Sequence, residues 1–207
     1  NSRGVVAVTG KGREINDDDV QRVIDAAKAI VIPMDREVLH VIPQEYIVDE
    51  QGGIRNPLDM IGVRLEAEVH IITGSVTSAQ NLVKCVNRAG LKVKEIVLES
   101  LASSLAVLSE DEKELGSLLI DLGGGTTDVL LTLEGAPYHT SIISVGGHQV
   151  TNDLSILLKT PLDAAEKIKQ EAGCCYMPLL KEDENVVIPG GGGRPPANIP
   201  RKERCRI

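Results

Sequence analysis

Leu118-Leu119-Ile120-Asp121-Leu122-Gly123-Gly124-Gly125-Thr126-Thr127-Asp128-Val129-Leu130-Leu131 decides how the rest of the chain is read. An apolar run of this length bounded by glycines predicts a buried strand, and a second run rich in Val and Leu follows at once. Strand, glycine loop, strand is a hairpin. Three successive glycines leave their N–H groups unshielded by side chains, which is how backbone builds a nest for an anion. Asp121 opens the loop, Asp128 closes it, and the hydroxyls of Thr126 and Thr127 lie between them. Phosphate, a divalent cation and water are the ligands that such a set of groups suits. A Walker A loop would need Gly-Lys-Ser/Thr ahead of a helix. A dinucleotide fingerprint also needs a helix after its glycines. Here no Lys is present and a strand follows, so a hairpin cradling phosphate from the side remains.

Composition narrows the field. The chain has 207 residues, enough for one large domain or two modest ones with a real core. It contains no Trp or Phe and three Tyr, so the core is packed from Val, Ile, Leu and Ala. A net charge of −8 and scarce aromatics argue against nucleic acid, which wants basic grooves and stacking rings. Four Cys make no disulfide framework in a chain this long, so reduced thiols of a cytoplasmic protein are expected. Cys174 and Cys175 are adjacent and lack the spacing of a zinc knuckle. No apolar stretch approaches the ~20 residues of a membrane span. The opening Asn1-Ser2-Arg3 and the Pro- and Arg-rich tail suggest a piece of something longer.

Along the chain, residues 4–9 read as a strand. Asn16-Asp17-Asp18-Asp19 is a helix start, with a capping residue and acids at the positive end of the dipole. Val20, Val23, Ile24 and Ala27 then share one helix face. Residues 39–48 are extended, and Pro43 makes them an edge or bulged strand. Gly52-Gly53 and Asn56-Pro57 mark turns. Residues 63–73 alternate, with Val63, Leu65, Ala67 and Val69 on one face and Arg64, Glu66 and Glu68 on a wet one. Residues 1–77 thus form a small α/β module.

Thr77 or Ser78 is expected to cap a helix carrying Leu82, Val83 and Val86, closed by Gly90. Residues 93–98 read as a strand. Leu101, Ala102, Leu105 and Leu108 make a helix face that ends in the acidic residues 110–114. After the hairpin, Glu134-Gly135-Ala136-Pro137 turns the chain into a third strand over residues 138–145. Gly146-Gly147 is a tight turn ahead of a helix on Val150, Leu154, Leu157 and Leu158. Thr160-Pro161-Leu162-Asp163 resembles a capping box for a last helix reaching Gly173. Gly190-Gly191-Gly192-Gly193-Arg194-Pro195-Pro196 reads as flexible. Four of the last seven residues are basic, as in a solvated tail.

Asp121-Leu122-Gly123-Gly124-Gly125-Thr126-Thr127-Asp128 resembles the second phosphate motif of the actin-like ATPases, which include actin, MreB, the heat-shock chaperones and FtsA. The choice within that superfamily comes from His40-Val41-Ile42-Pro43-Gln44-Glu45-Tyr46, Gly62-Val63-Arg64-Leu65-Glu66-Ala67 and Val69-His70-Ile71-Ile72-Thr73. These are similar to the 1C subdomain of the FtsA family. Gly90-Leu91-Lys92-Val93, Leu101-Ala102-Ser103-Ser104, Gly146-Gly147 with Thr151-Asn152-Asp153, and Gly192-Gly193-Arg194-Pro195-Pro196 continue the likeness, which spans nearly the whole chain.

The resemblance implies an actin-like, ribonuclease H-like α/β fold of mixed sheets with flanking helices, plus the small 1C-type module. It implies 1C over residues 1–77, the end of subdomain IA over 78–115, and the first part of IIA running into IIB over 116–207. Bound ATP and Mg²⁺ follow from it. Gly123, Gly124, Gly125, Thr126 and Thr127 would take the β- and γ-phosphates. Asp121 would hold Mg²⁺ through water or polarise the attacking water. Gly146 and Gly147 would turn close to the nucleotide, and Glu166 and Lys169 would meet its ribose and base. Without the motif, those last two read as an ordinary exposed pair on an amphipathic helix. Asp128 suits backbone satisfaction at the hairpin end as well as a ligand role. His139 and His148 read as structural or exposed.

For the whole protein, the resemblance implies ATP-governed polymerisation with at most slow hydrolysis. It also implies tethering of the FtsZ ring to the inner face of the cytoplasmic membrane at the division site. The expected partners are FtsZ, a neighbouring subunit through 1C, and other divisome proteins through 1C. The family's first phosphate loop, its late adenosine-clamping glycine motif and its membrane-binding C-terminal helix are not found in the sequence. The chain therefore reads as an internal fragment expected to bind ATP weakly or not at all by itself. Rival readings on the same superfamily fold are a chaperone or sugar kinase, and a pilus-assembly or cell-shape filament protein.

Overall fold

The computed structural model describes residues 1–8, 10, 12–29, 32–180, 185–190 and 195–200. The basic tail at 201–207, the glycines at 191–193 with Arg194, and Thr9 at the end of the first expected strand lie outside them. The chain forms two compact units: residues 1–121 with 129–141, and residues 122–128 with 142–207.

The first unit begins with β1 (Ser2–Ala7), α1 (Asp17–Lys28), β2 (Arg36–Val48), β3 (Gln51–Ile54) and β4 (Arg64–Ser75). The strands form an antiparallel sheet in the order β1-β4-β2-β3. Asn16 caps α1 with a full capping box: its side chain takes the Asp19 N–H while the Asp19 carboxylate takes the Asn16 N–H. Val23 and Ala27 are buried as the helical pattern requires, with Val20 and Ile24 packed beside them. Gly4 lets the helix lie against the sheet, because a Cβ there would sit 2.2 Å from the Val23 carbonyl oxygen. Leu65, Ala67 and Val69 alternate into the same core beside Val8, Ile15, Tyr46 and Val48.

The other face of β4 corrects the sequence reading. Glu66 is 2% exposed and ion-paired to Arg3 at 2.6 Å and Arg64 at 2.7 Å. Charge pairing, not water, satisfies that carboxylate, so alternation located the face but not its covering. His70 on this strand is also buried. Its Nδ1 faces the Asn1 side-chain oxygen at 2.8 Å and its Nε2 faces the Thr140 hydroxyl at 3.1 Å. β2 is bulged at Pro43, as expected; β4 pairs along one side of it, and β3 pairs on the other side only at Tyr46 and Val48. Gly52 and Gly53 lie within β3. The turn itself falls on Asp49 and Glu50, both at positive φ, with the Asp49 carboxylate accepting from the Val63 and Arg64 N–H groups.

α2 (Val76–Arg88) is capped by Ser75 rather than by Thr77 or Ser78, because Ser75 Oγ accepts the Ser78 N–H; Gly90, at φ +81, closes it as expected. Among the described residues, 93–98 join no ladder; the segment is anchored by the Leu98 N–H donating to His40 Nε2 at 3.0 Å. α3 (Glu99–Val107) buries Ser100 and Ser104, while Leu105 is 75% exposed. Ser104 answers its own hydroxyl by donating to the Leu101 carbonyl, so a polar position can face inward. Residues 110–115 form a separate helix, α4 (Glu110–Leu115), on a Ser109–Glu112 capping box.

β5 (Ser117–Leu122), β6 (Thr127–Leu133) and β7 (Ala136–Ile143) make a three-stranded sheet in that order, with Leu130 and Thr132 buried. Within the first unit, Gln44 donates to the Pro137 carbonyl at 3.1 Å, and Arg55 pairs with Glu114. With the His70–Thr140 bond, these tie residues 1–77 to the later elements.

In the second unit, α5 (Gly147–Leu158) packs on α6 (Leu162–Ala172), and β8 (Asn185–Ile188) pairs with β9 (Ala197–Pro200). Leu154, Ala165, Ile168, Ala172 and Ile188 are its buried apolar residues. The expected capping box at Thr160 does not form. The buried Thr160 hydroxyl donates instead to the Pro189 carbonyl at 2.7 Å, and Pro161 starts α6 without a side-chain cap.

Candidate nucleotide-binding site

Residues 122–128, the tip of the β5–β6 hairpin, belong to the second unit together with α5 and α6. The loop is closed by the Gly123 N–H donating to the Thr126 carbonyl at 2.9 Å. Its carbonyls receive the first amides of α5: Gly147 N–H to Gly123 at 3.0 Å, and His148 N–H to Gly124 at 2.7 Å. Those two amides would otherwise be orphans of the helix start, so loop and helix satisfy one another.

None of the three glycines takes a positive φ. Their role is close approach. A Cβ on Gly124 would stand 2.8 Å from the His148 ring, and one on Gly146 would stand 2.6 Å from the carbonyl oxygens of both Gly123 and Gly124. A Cβ on Gly125 would meet nothing. The N–H groups of Gly124 and Gly125 have no hydrogen-bond partner among the described residues. Two adjacent unanswered donors, with open space where a Gly125 side chain would stand, form a donor set that fits a phosphate.

The two threonines differ in their commitments. Thr127 Oγ1 donates to the Val145 carbonyl at 2.8 Å, a bond that holds the loop to the strand end. Thr126 Oγ1 donates to Asp128 at 3.3 Å, and Asp128 is buried. Asp121 lies in the first unit, where Ser103 Oγ on α3 donates to its Oδ2 at 2.6 Å. One carboxylate with an oxygen left over matches the preference of Mg²⁺ for few protein ligands and retained waters. Among the described residues no cluster of three or more His, Cys, Asp or Glu could hold a metal by itself.

Glu166 and Lys169 share one face of α6, as their spacing predicts, and form an ion pair at 2.8 Å. Lys169 Nζ also donates to the Gly147 carbonyl at 3.0 Å and to Thr151 Oγ1 at 2.8 Å. All three of its N–H bonds are thus answered. Thr151 Oγ1 in turn donates to Glu166 Oε2 at 2.5 Å, and Gln170 donates to Oε1 at 2.7 Å. The hydrogen bond from Lys169, then that from Thr151, holds the Glu166 carboxyl down to about 2. Gly123–Thr127, Gly146, Gly147, Glu166 and Lys169 are therefore brought into one unit. Thr151, the hydroxyl at the centre of the Glu166–Lys169 pair, was not among the expected site residues. Its signal was a threonine one helical turn beyond the Gly146-Gly147 turn, 4% exposed once folded.

Comparison with known proteins places these features. Residues 1–73 match the family model "SHS2 domain inserted in FTSA", and residues 118–205 match "Cell division protein FtsA". The "Cell division protein FtsA" of Borreliella burgdorferi is 59% identical over 204 residues, which cover 98% of this chain and 49% of the relative. That of Pseudomonas aeruginosa is 50% identical over 207 residues, covering 100% of this chain and 49% of the relative. The chain spans about half the length of the curated relatives it matches. Among solved structures, MreB5 of Spiroplasma citri bound to ADP matches with a TM-score of 0.53 at 20% identity, over 64% of this chain and 43% of that one. The PilM–PilN type IV pilus biogenesis complex matches with a TM-score of 0.55 at 15% identity, over 82% and 48%. At such identities the likeness shows the fold, which is mixed α/β and actin-like.

Proposed function

The chain belongs to the FtsA family of cell division proteins, and on that premise we propose that it supplies one side of an actin-like ATP clamp. The observation that carries this reading is the pair of unanswered amides at Gly124 and Gly125, with open space on the Gly125 side of the loop. The β- and γ-phosphates would lie on the Gly123–Gly125 backbone, with the Thr126 and Thr127 hydroxyls at its rim. Gly146 and Gly147 keep the backbone beneath that loop thin. Glu166 would accept from the ribose, and Lys169 would hold the turn beside it. Asp121 would hold Mg²⁺ through water. The ion, when bound, supplies charge neutralisation at the phosphates. Asp121 also orients water in this scheme, and any hydrolysis is slow.

Residues 1–77 are proposed as the 1C-type subdomain, 78–115 as the end of subdomain IA, and 116–207 as the first part of IIA running into IIB. In the whole protein, ATP would govern polymerisation, with 1C meeting a neighbouring subunit and other divisome proteins. The filament would tether the FtsZ ring to the inner face of the cytoplasmic membrane, through a C-terminal helix of the whole protein. No helix among the described residues is long and apolar enough to cross a membrane.

Calorimetry with Mg-ATP tests the reading: the full-length protein binds, and residues 1–207 alone bind weakly or not at all, because a clamp needs both lobes. Full-length protein that does not bind ATP overturns the reading, and micromolar binding by residues 1–207 overturns the two-lobe requirement. Co-pelleting of FtsZ with vesicles, only when the full-length protein is present, tests the tether.

A further inference from the structure

We propose that Thr151 is the residue that sets ribose recognition at this site, by fixing which oxygen of Glu166 is open to a ligand. The inference rests on the nucleotide reading above and goes beyond it to a residue to which that reading gives no role.

A carboxylate oxygen accepts about two hydrogen bonds. Glu166 Oε2 already has two, from Thr151 at 2.5 Å and from Lys169 at 2.8 Å. Oε1 has one, from Gln170 at 2.7 Å. One acceptor position remains, and it is on Oε1. The Thr151 hydroxyl has one hydrogen, and its contacts show where it goes. The Gly147 carbonyl, 3.2 Å away, is served by Lys169 at 3.0 Å, so the hydrogen belongs to Glu166. Thr151 thereby receives from Lys169 and donates to Glu166, and both long side chains are locked by one buried β-branched residue with few rotamers. Without the hydroxyl, Glu166 has a second open acceptor and is oriented only by Lys169 and Gln170. Water can then answer it as well as a sugar can.

A carboxylate with one open, fixed acceptor position discriminates for a hydroxyl donor in the ligand. A ligand lacking that hydroxyl leaves it unanswered. The ligand class is a ribonucleotide, and the hydroxyl is the 2′ or 3′ of its ribose.

The test is the affinity of the full-length protein for ATP, 2′-deoxy-ATP and 3′-deoxy-ATP. Wild type is expected to prefer ATP over one of the analogues by about tenfold or more, the range of a hydrogen bond to a charged acceptor. Thr151→Val should bring that ratio to within about twofold of unity, weakening ATP while changing the disfavoured analogue little; Thr151→Ser should keep it. A uniform loss for all three nucleotides would mark a merely structural role and overturn the proposal. So would a wild-type ratio retained in Thr151→Val. If that variant does not fold, Thr151→Ala carries the same comparison. Wild type that binds no ATP fails the nucleotide reading itself, and the inference with it.

Discussion

Lys169 on α6 donates to the carbonyl of Gly147, the first residue of α5, at 3.0 Å. The last regular helix thus grips the turn from which its predecessor starts, and the loop carbonyl of Gly123 holds the same residue by its N–H. Lys169→Met removes three hydrogen bonds from a side chain only 25% exposed, with its stem still able to pack. The expected loss is roughly 1–3 kcal/mol, measured as a shift in the urea midpoint at unchanged slope. An unchanged midpoint would mean that the ammonium is as well served by water.

The Glu166 carboxyl gives the same network a pH signature. Its ordinary value of 4.5 is lowered to about 2, by the bond from Lys169 first and that from Thr151 next. The folded state therefore favours the ionised form. That contribution is complete above the unfolded value and fades as pH falls through it toward the folded one. Stability should drop between about pH 5 and pH 2, and less steeply in Glu166→Gln. Thermal unfolding across that window measures both slopes, and parallel curves would refute the assignment.

The turn between β2 and β3 stores strain. Asp49 and Glu50 both hold positive φ, 46° and 75°, which a two-residue hairpin of the right twist requires and L side chains resist. Asp49 is compensated by its bonds to the Val63 and Arg64 amides. Glu50 has no such compensation among the described residues. Glu50→Gly is expected to stabilise the protein by about 1 kcal/mol, whereas Asp49→Gly should destabilise it by losing the carboxylate. Urea unfolding of the two variants separates them by sign.

Where a pattern reflects one dominant force, the sequence was legible. The apolar series in α1, the face of β4 that carries Leu65, Ala67 and Val69, the bulge at Pro43 and the strands either side of Gly123–Gly125 all form; the expected burial of the first of those strands does not, since Leu118, Ile120 and Leu122 are exposed, as is Val63 ahead of β4. What eluded it were positions decided by a distant partner. Glu66 reads as wet until Arg3 and Arg64 arrive from positions 63 and 2 residues away. Ser100 and Ser104 lie outside the apolar set Leu101, Ala102, Leu105 and Leu108 expected to form the face of α3, yet they are the buried ones. Residues 93–98 have a strand's composition but join no ladder among the described residues; a side chain, His40, takes the Leu98 N–H instead. At the candidate site, the glycines, Glu166 and Lys169 were marked by motif. Thr151 stood in the Gly146-Gly147 motif without a role, because its hydroxyl gains meaning only when α6 folds back onto α5.

Gly125 and Gly146 make opposite demands, and the contrast separates ligand binding from folding. A Cβ at Gly146 would stand 2.6 Å from two backbone oxygens, so Gly146→Ala must push the hairpin tip away from α5 and should cost both stability and nucleotide affinity. A Cβ at Gly125 meets nothing within 4 Å, and its φ is not positive, so Gly125→Ala should leave unfolding unchanged. If a phosphate occupies the space above the Gly124 and Gly125 amides, that methyl group intrudes on it. The full-length Gly125→Ala protein should then unfold at the wild-type temperature while binding Mg-ATP about tenfold or more weakly, the loss of at least one charge-assisted hydrogen bond. Calorimetry and thermal unfolding on the same sample read both. Wild-type ATP affinity in Gly125→Ala would place the phosphates elsewhere, and a lowered unfolding temperature would mean that the space is not open.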